Sequence, residues 1–193
     1  MPVYDLREKF YETINGEKIL FESDTIGENL ATGHLMTLLG EYVNKNKRGI
    51  ILPHLVTYFP DENILIPDIM FIDAAKEKLV LESPEDQFNV VPDMVAEILS
   101  KSTMERDMTV KKDIYERNDI REYWLVDSRA KSVAVYLLRD GKYFLDDIYH
   151  NYSEDELAEL TDEERADVKS EIPVAVLDGF KVKIKNIFGW YFE

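Results

Sequence analysis

The sequence predicts an α/β or α+β fold in which helices flank a mixed β-sheet. Along the chain, an amphipathic helix, several apolar stretches of strand length, a second helix and further strands follow one another. With 193 residues, 45% of them hydrophobic, the chain is long enough for one sizeable core. We therefore expect a single domain over residues 1–193, with an acidic helical elaboration at 153–171.

The first half of the chain predicts a hairpin, a helix and three strands. The pair Asn15-Gly16 lies between two short stretches that contain apolar residues, which is typical of a β-hairpin turn. From Thr25 to Asn46, apolar residues recur at helical spacing and predict a helix with one buried face. Three apolar or β-branched stretches follow, and we expect them to be strands of one sheet: 50–59, 64–72 and 94–99.

The second half of the chain predicts a second core helix and several hairpins. The run from Ser102 to Glu105 fits a capping box, which predicts a helix that ends near Asn118. Two further capping boxes begin at Ser153 and Thr161, so the acidic segment is expected to form solvated helices. Strands are expected at 122–127, 132–139, 142–149, 174–177 and 180–184.

The composition excludes several classes of protein. The chain has no cysteine, which excludes disulfides, thiolate metal sites and a catalytic cysteine. Its three histidines, His34, His54 and His150, are far apart in the sequence and form no ligand motif. No window approaches the roughly 18 to 20 apolar residues of a membrane span, and the first residues lack the apolar stretch of a signal peptide. We expect a cytoplasmic protein that does not contact a membrane.

The charge distribution limits how nucleic acid could be bound. The formal net charge of −16 argues against binding through basic patches alone. Nine acids and two bases fall between Ser153 and Glu171, a local net charge of −7. Between Lys101 and Arg121 the balance reverses, with six bases and five acids. The least acidic region therefore adjoins the candidate site described next.

Two acids interrupt strands that are otherwise apolar. Glu97 lies within the apolar run Met94–Leu99, and Asp68 lies within Ile64–Ile72. A buried carboxylate is costly unless it is paired or holds a metal. A Mg²⁺ or Mn²⁺ ion is commonly held by one or two carboxylates, with water and substrate phosphate completing its shell. The alternative is that each acid caps a loop or pairs with a buried basic residue, and the spacing alone leaves both open.

The helix after Glu97 carries a lysine on its predicted apolar stripe. At about 100° per residue, four residues fall within roughly 60° of one another: Met104, Met108, Lys111 and Tyr115. Lys111 lies at the centre of this stripe and needs an acceptor, for which Asp68 and Glu97 are the candidates. The alternative is that its aliphatic stem runs past Tyr115 and carries the ammonium to the surface.

Two further residues of this helix are secondary candidates. Asp107 precedes Lys111 by one turn, so the two can form an i,i+4 ion pair, and this structural role fits at least as well as a catalytic one. Tyr115 is expected to pack in the core, although it is close enough to Lys111 to shape the site.

These residues and their order resemble the signature of a known family. The resemblance rests on the following residues: Pro67-Asp68, Val91–Ser100, Arg106-Asp107, Lys111, Tyr115 and Arg121–Asp127. It extends from Tyr11–Glu17 near the start to Val174–Phe180 near the end. The chain is thereby similar to the Uma-type (Uma-two) restriction endonuclease family of the PD-(D/E)XK nuclease superfamily.

The resemblance implies a restriction-endonuclease-like fold and a metal site. It assigns Asp68 and Glu97 as ligands of Mg²⁺ (or Mn²⁺) and Lys111 as the third catalytic residue. The general superfamily pattern places that lysine two residues after the second acid, but Leu99 stands there, and the family places a lysine on the following helix instead. This lysine would orient or activate the attacking water and stabilise charge on the phosphate.

The sequence departs from the family pattern in two places. Many relatives have a histidine near the start of the first long helix, where this chain has Asn29, and this weakens a catalytic role for that helix. The acidic segment 153–171 resembles an elaboration, and it brings ordinary duplex DNA into question as the substrate.

Two functions from different classes follow from these observations. The first is a magnesium-dependent endonuclease that hydrolyses the phosphodiester bonds of nucleic acid, with DNA as the expected partner and no covalent enzyme intermediate. The alternative is a non-catalytic nuclease-fold protein that binds or assembles with a protein partner. The intact set of site residues favours the enzyme, whereas the overall acidity favours the alternative. The sequence does not determine the oligomeric state, and a homodimer is compatible with it, because two-fold assemblies are the commonest soluble oligomers.

Overall fold

A six-stranded mixed sheet forms the centre of the computed structural model, which describes residues 11–20, 25–84 and 87–189. In spatial order, its strands are β10 (Lys142–His150), β9 (Ser132–Arg139), β8 (Glu122–Asp127), β7 (Met94–Ile98), β6 (Ile69–Asp73) and β3 (Gly49–Pro53). Strands β7 and β8 are parallel, and the other neighbouring pairs are antiparallel. The predicted mixed sheet flanked by helices is confirmed.

Two smaller sheets accompany the large one. The first contains, in spatial order, β2 (Glu17–Leu20), β1 (Tyr11–Ile14), β5 (Ile64–Leu65) and β4 (Thr57–Tyr58). The second pairs β11 (Glu171–Pro173) with β12 (Lys181–Lys183). The predicted hairpin at Asn15-Gly16 is present, and both turn residues have the positive φ values, 50° and 85°, that such a turn requires.

Short helices and one long helix connect these strands. The helices are α1 (Ile26–Asn46), α2 (Glu77–Leu81), α3 (Met104–Arg106), α4 (Lys112–Arg117), α5 (Glu154–Glu159), α6 (Asp162–Ala166) and α7 (Lys185–Phe188). A 3₁₀ turn (Ala74–Lys76) precedes α2, and a π-helical segment (Asp107–Lys111) joins α3 to α4. The capping boxes predicted at Ser153 and Thr161 are present at the starts of α5 and α6.

Apolar residues on both faces of the large sheet form two cores. On one face, Leu35 and Leu39 of α1 pack with Ile98 of β7. On the other face, Ile114 of α4 packs with Val95 of β7. The site described below lies where β7 ends and β6 begins, two inner strands of the sheet, and Glu97 shares the α4 face with Val95.

Three stretches were expected to be strands of one sheet, but two of them each form two strands, and these lie in two different sheets. The stretch 50–59 forms β3 and β4, and the stretch 64–72 forms β5 and β6. The first break follows Pro53, where His54 has a positive φ of 44° and its N–H donates to the Pro67 carbonyl oxygen (3.1 Å). Pro67 itself has no N–H to continue a ladder. The expectation of one sheet was therefore wrong for β4 and β5, which pair beside β1 instead.

Two element boundaries also differ from the prediction. The second core helix begins at Met104 without a side-chain cap from Thr103. The capping box expected from Ser102 is absent; the reciprocal bonds instead join Ser100 and Thr103 (3.1 and 3.3 Å) and begin two residues earlier. The closing hairpin is present, but its strands lie at 171–173 and 181–183, since residues 174–177 form a turn closed by Leu177 N–H and the Val174 carbonyl oxygen (2.9 Å).

The described part of the chain contains no helix that is long and apolar enough to cross a membrane. The N-terminal residues 1–10, in which no signal peptide was expected, lie outside the described residues. The single-domain boundaries 1–193 therefore remain an expectation.

We predict that Gly49→Ala destabilises the protein by about 2–4 kcal/mol, because it combines an unfavourable φ with a backbone clash. Gly49 has a φ of 141°, and a Cβ atom there would lie 1.9 Å from the carbonyl oxygen of Ile72 in the paired strand β6. The matched control is Gly40→Ala within α1, where a Cβ meets nothing within 4 Å. The control should stabilise by about 0.5–1 kcal/mol, since alanine favours helix. Urea denaturation of both variants checks this, and equal stability of the two would contradict it.

Candidate active site

The register of the large sheet brings Asp68 and Glu97 together. Ile69 of β6 pairs with Ala96 of β7 in an antiparallel ladder, so Asp68 and Glu97 are the next opposed positions. The Ile98 N–H donates to Asp68 Oδ2 (2.6 Å), and the Asp68 N–H lies 3.4 Å from Glu97 Oε2. The two acids therefore share one end of the sheet, although 28 residues separate them in the sequence.

Glu97 is also held by two side chains of the helix that follows it. Lys111 Nζ donates to Glu97 Oε1 (3.1 Å), and the Tyr115 hydroxyl donates to the same oxygen (2.5 Å). All three side chains are buried. Burial raises the pKa of Tyr115, and the Glu97 carboxylate raises it further, so the hydroxyl keeps its proton and remains a donor.

The π-helical segment sets which residues of this helix point inward. Asp107 and Lys111 are both buried, and Lys111 Nζ lies 3.6 Å from Asp107 Oδ1. Met108 is 47% exposed, so its predicted place on the buried stripe was wrong. The prediction assumed 100° per residue, whereas the wider π turn shifts the phase of the helix. Tyr123 of β8 fixes the segment by donating to the Asp107 carbonyl oxygen (3.0 Å).

Glu12 is a buried member of the site that sequence reasoning missed. Its Oε1 lies 2.8 Å from Lys111 Nζ and accepts a hydrogen bond from the Ile66 N–H (3.0 Å). Its Oε2 lies 3.7 Å from Nε of Arg106. The available signal was the two-residue alternation in β1, which places Glu12 on the same buried face as Ile14.

His54 is a second residue that the sequence did not place at the site. Its Nε2 lies 3.4 Å from Asp68 Oδ1. The register of β3 against β6, in which Pro53 pairs with Ile69, makes His54 and Asp68 the next opposed positions. No sequence pattern signalled this approach, because the three histidines are far apart along the chain.

Burial and mutual repulsion perturb the acids around Lys111. Burial raises the pKa of Glu97 well above its ordinary value; the Lys111 ammonium opposes this rise, and the carboxylates of Asp68, Asp107 and Glu12 add to it. Burial likewise raises the pKa of Asp107. For Lys111, burial works to lower the pKa, but the surrounding carboxylates outweigh it and raise the pKa above its ordinary value. Lys111 therefore stays protonated at neutral pH.

A cleft of about 330 Å³ opens above these carboxylates. The buried charged residues that line it, which we call its floor, are Glu28, Asp68, Glu97, Asp107 and Lys111. Its rim includes three basic residues and several hydroxyl side chains: Lys101, Arg106, Arg129, Ser100, Ser102, Thr103 and Thr25. The cleft is thus acidic at its floor, with basic residues along its rim.

The donor set of the floor fits a magnesium or manganese ion. Among the described residues, no group of three or more histidine, cysteine, aspartate or glutamate side chains is arranged to hold a metal ion. Magnesium needs fewer protein ligands, since one or two carboxylates with water and phosphate suffice. Asp68 Oδ2 and Glu97 Oε1 accept the closer hydrogen bonds. Asp68 Oδ1 and Glu97 Oε2 have only longer contacts, each at 3.4 Å, to His54 Nε2 and to the Asp68 N–H, so these are the oxygens that an ion could take.

Comparison with solved structures assigns the fold to a class. The crystal structure of "a putative nuclease belonging to DUF820" from Anabaena variabilis, at 1.96 Å resolution, matches this chain with a TM-score of 0.72. The match covers 95% of this chain and 92% of that chain at 17% sequence identity. The large mixed sheet with flanking helices is thus a nuclease-like fold.

Comparison with family models identifies the family itself. The model of the Uma2 family, described as "Putative restriction endonuclease", matches residues 1–169. The chain belongs to the Uma2 family, which confirms the resemblance found in the sequence. A comparison with curated proteins finds no match. Family and fold together indicate a nuclease.

We predict that Lys111→Met destabilises the protein by about 3–5 kcal/mol, because it leaves buried carboxylates without their cation. Lys112→Met is the matched control. Lys112 lies over the ring of Tyr136 (4.7 Å) and forms no ion pair within the described part of the chain, so its loss should cost at most about 1 kcal/mol. Urea denaturation in EDTA measures both variants.

The destabilisation by Lys111→Met should be smaller at pH 5 than at pH 8. Glu97 and Asp107 have raised pKa values in the folded protein, so the folded state takes up protons as the pH falls towards their unfolded values. Protonation removes the unpaired charge that the substitution creates. A destabilisation that does not depend on pH, or that equals the effect of Lys112→Met, would contradict this electrostatic explanation.

Proposed function

We propose that this protein is a magnesium-dependent endonuclease that hydrolyses phosphodiester bonds of nucleic acid. The family and the fold support the nuclease class. The observation that carries the finer proposal is the opposed pair Asp68 and Glu97, with the Lys111 ammonium 3.1 Å from the second acid. Two carboxylates and a lysine at the end of a sheet are the groups that metal-assisted hydrolysis needs.

Asp68 and Glu97 are the residues that would hold the ion. Each uses one oxygen in a short hydrogen bond, to the Ile98 N–H for Asp68 and to Lys111 and Tyr115 for Glu97. These bonds fix the direction of the remaining oxygens before any ion arrives. A bound magnesium ion supplies Lewis acidity towards the phosphate and lowers the pKa of a coordinated water.

Lys111 serves in this proposal as a fixed positive charge and hydrogen-bond donor. Its pKa is raised by the carboxylates around it, so it cannot take the proton of an attacking water at neutral pH. It lines the cleft, and Glu97 and Glu12 accept from two of its three N–H donors, so one donor remains to orient that water and stabilise the charge that develops on the phosphate. The resemblance implies that Lys111 either orients the attacking water or activates it by taking its proton. A permanently protonated lysine fits the first role.

Two buried residues position Lys111 for this role. Glu12 accepts from Nζ at 2.8 Å, and Asp107 lies 3.6 Å from Nζ on the other side. Together with Glu97 they surround the ammonium with carboxylates from three separate elements. The lysine side chain is 3% exposed and has little freedom to leave this position. Asp107 and Glu12 are thus positioning residues.

We predict that Glu97→Gln lowers the rate of Mg²⁺-dependent cleavage at least about 100-fold, because it removes the charge that holds the ion beside Lys111. The assay uses labelled single-stranded and double-stranded DNA and RNA with Mg²⁺ or Mn²⁺. Glu122→Gln is the matched control: Glu122 is also buried and lies on the adjacent parallel strand, but it accepts from Trp124 Nε1 (2.7 Å) and the Val176 N–H (2.9 Å).

The control variant should retain cleavage within a few-fold of wild type if it remains folded, as judged by thermal denaturation. Cleavage that survives in Glu97→Gln would exclude this site. Wild-type protein that cleaves none of the four substrates with either ion would favour the alternative of a non-catalytic nuclease-fold protein.

A further inference from the structure

Two arginines line opposite sides of the cleft, one near each face of the large sheet. Arg106 belongs to α3, and its Nε lies 3.7 Å from Glu12 in the small sheet, on the face covered by α4. Arg129 lies in the turn between β8 and β9. That turn adjoins the start of α1 on the other face, since a Cβ atom at Gly27 would lie 3.9 Å from Oγ of Ser128. The cleft that both arginines line also contains Asp68 and Glu97.

Arg106 has donors that the described residues do not use. Its side chain is 19% exposed, and the Glu12 carboxylate is its one ion-pair partner among the described residues. At 3.7 Å this contact is too long to be a hydrogen bond, and because Nε is buried, a ligand could be reached only by the terminal nitrogens of the guanidinium. A guanidinium carries five N–H donors in a planar fork, a geometry that matches phosphate oxygens.

Arg129 presents a second guanidinium at the other side of the cleft. Its side chain is 43% exposed, and Nε lies 3.7 Å from Asp127 Oδ1. The same Asp127 oxygen accepts the N–H groups of Arg129 (2.9 Å) and Ala130 (3.0 Å), which fixes the turn that carries the arginine. The side chain therefore projects from a rigid turn while its charge remains accessible.

We propose that Arg106 and Arg129 each bind a backbone phosphate of one nucleic-acid strand, on either side of the Asp68 and Glu97 pair. The nature of the ligand rests on the proposed function. An acidic floor attracts a cation and repels phosphate, so a strand crossing the cleft needs cationic contacts that flank the floor. The arginines supply these contacts in a protein whose net charge of −16 offers few others.

The acidic segment makes a single strand the ligand that fits these contacts. The Asn151 N–H, just before α5, donates to the carbonyl oxygen of Lys131 (2.9 Å), two residues after Arg129. The pKa of Glu156 in α5 is lowered chiefly by the hydrogen bonds that it accepts from Ser153, and the charge of Lys131 contributes to a smaller extent. Acidic side chains therefore stand beside the Arg129 end of the cleft, where the second strand of a duplex would add phosphate charge.

The test measures binding of a short fluorescein-labelled single-stranded oligodeoxynucleotide by fluorescence anisotropy at several NaCl concentrations. Ca²⁺ replaces Mg²⁺, because it has the same charge but a looser coordination geometry. The plot of log affinity against log salt concentration has a negative slope. The loss of one arginine–phosphate contact should make that slope less steep by about 0.7. We expect this change, and roughly tenfold weaker binding, in Arg106→Gln and in Arg129→Gln.

Two controls keep the result interpretable. Arg139→Gln removes an exposed arginine that pairs with Asp146 in the β9–β10 hairpin, and it should leave the slope unchanged. Arg106→Lys keeps the charge and should retain the slope while losing the fork geometry. A slope that is unchanged in either Arg106→Gln or Arg129→Gln, in variants shown to be folded by thermal denaturation, overturns the inference.

Cleavage of the same oligonucleotide by wild type in Mg²⁺ reports separately on the proposed function. Cleavage together with unchanged slopes would refute the arginine contacts alone. Arginine-dependent slopes without cleavage would support the contacts and refute hydrolysis. A wild-type protein that does not bind the oligonucleotide in Ca²⁺ overturns the inference, whatever the cleavage assay shows.

Discussion

The buried ammonium of Lys111 is the interaction on which the arrangement of the site depends. Glu97 of β7, Glu12 of β1 and Asp107 of the π-helical segment all lie within 3.6 Å of Nζ. Each of these carboxylates is buried, and none could be buried cheaply as an unpaired charge. A single cation therefore joins the large sheet, the small sheet and the second core helix at one point.

The formal charges of the buried side chains at this point do not balance. Four buried acids, Glu12, Asp68, Glu97 and Asp107, surround one buried lysine, with Arg106 as a more distant cation. Repulsion among them contributes to the raised pKa of Glu97. A divalent cation between Asp68 and Glu97 would relieve that repulsion, which is how metal sites commonly offset the cost of clustered acids. Excess negative charge at this point thus agrees with a site that is completed by an ion.

Sequence patterns could find the residues that break an apolar pattern, but not those placed by irregular geometry. Glu97 and Lys111 each interrupt an apolar strand or stripe, so both stood out. Glu12 did not, because a four-residue strand gives too short an alternation to recognise as buried. The exposure of Met108 follows from a π turn, which a period of 100° per residue cannot represent. The approach of His54 follows from the pairing register of β3 with β6, which no spacing in the sequence signals.

The proposed function requires that Asp68 and Glu97 form a cation site beside Lys111. Anomalous X-ray diffraction from crystals soaked in Mn²⁺ tests this requirement most directly, because the ion's own signal reports its position. We expect an anomalous peak at about 2.0–2.4 Å from one oxygen of each carboxylate. The peak should disappear in Asp68→Asn crystals, while the hydrogen bond from Lys111 to Glu97 persists. A peak elsewhere in the cleft, or wild-type crystals with no peak between the two acids, would contradict the proposed cation site.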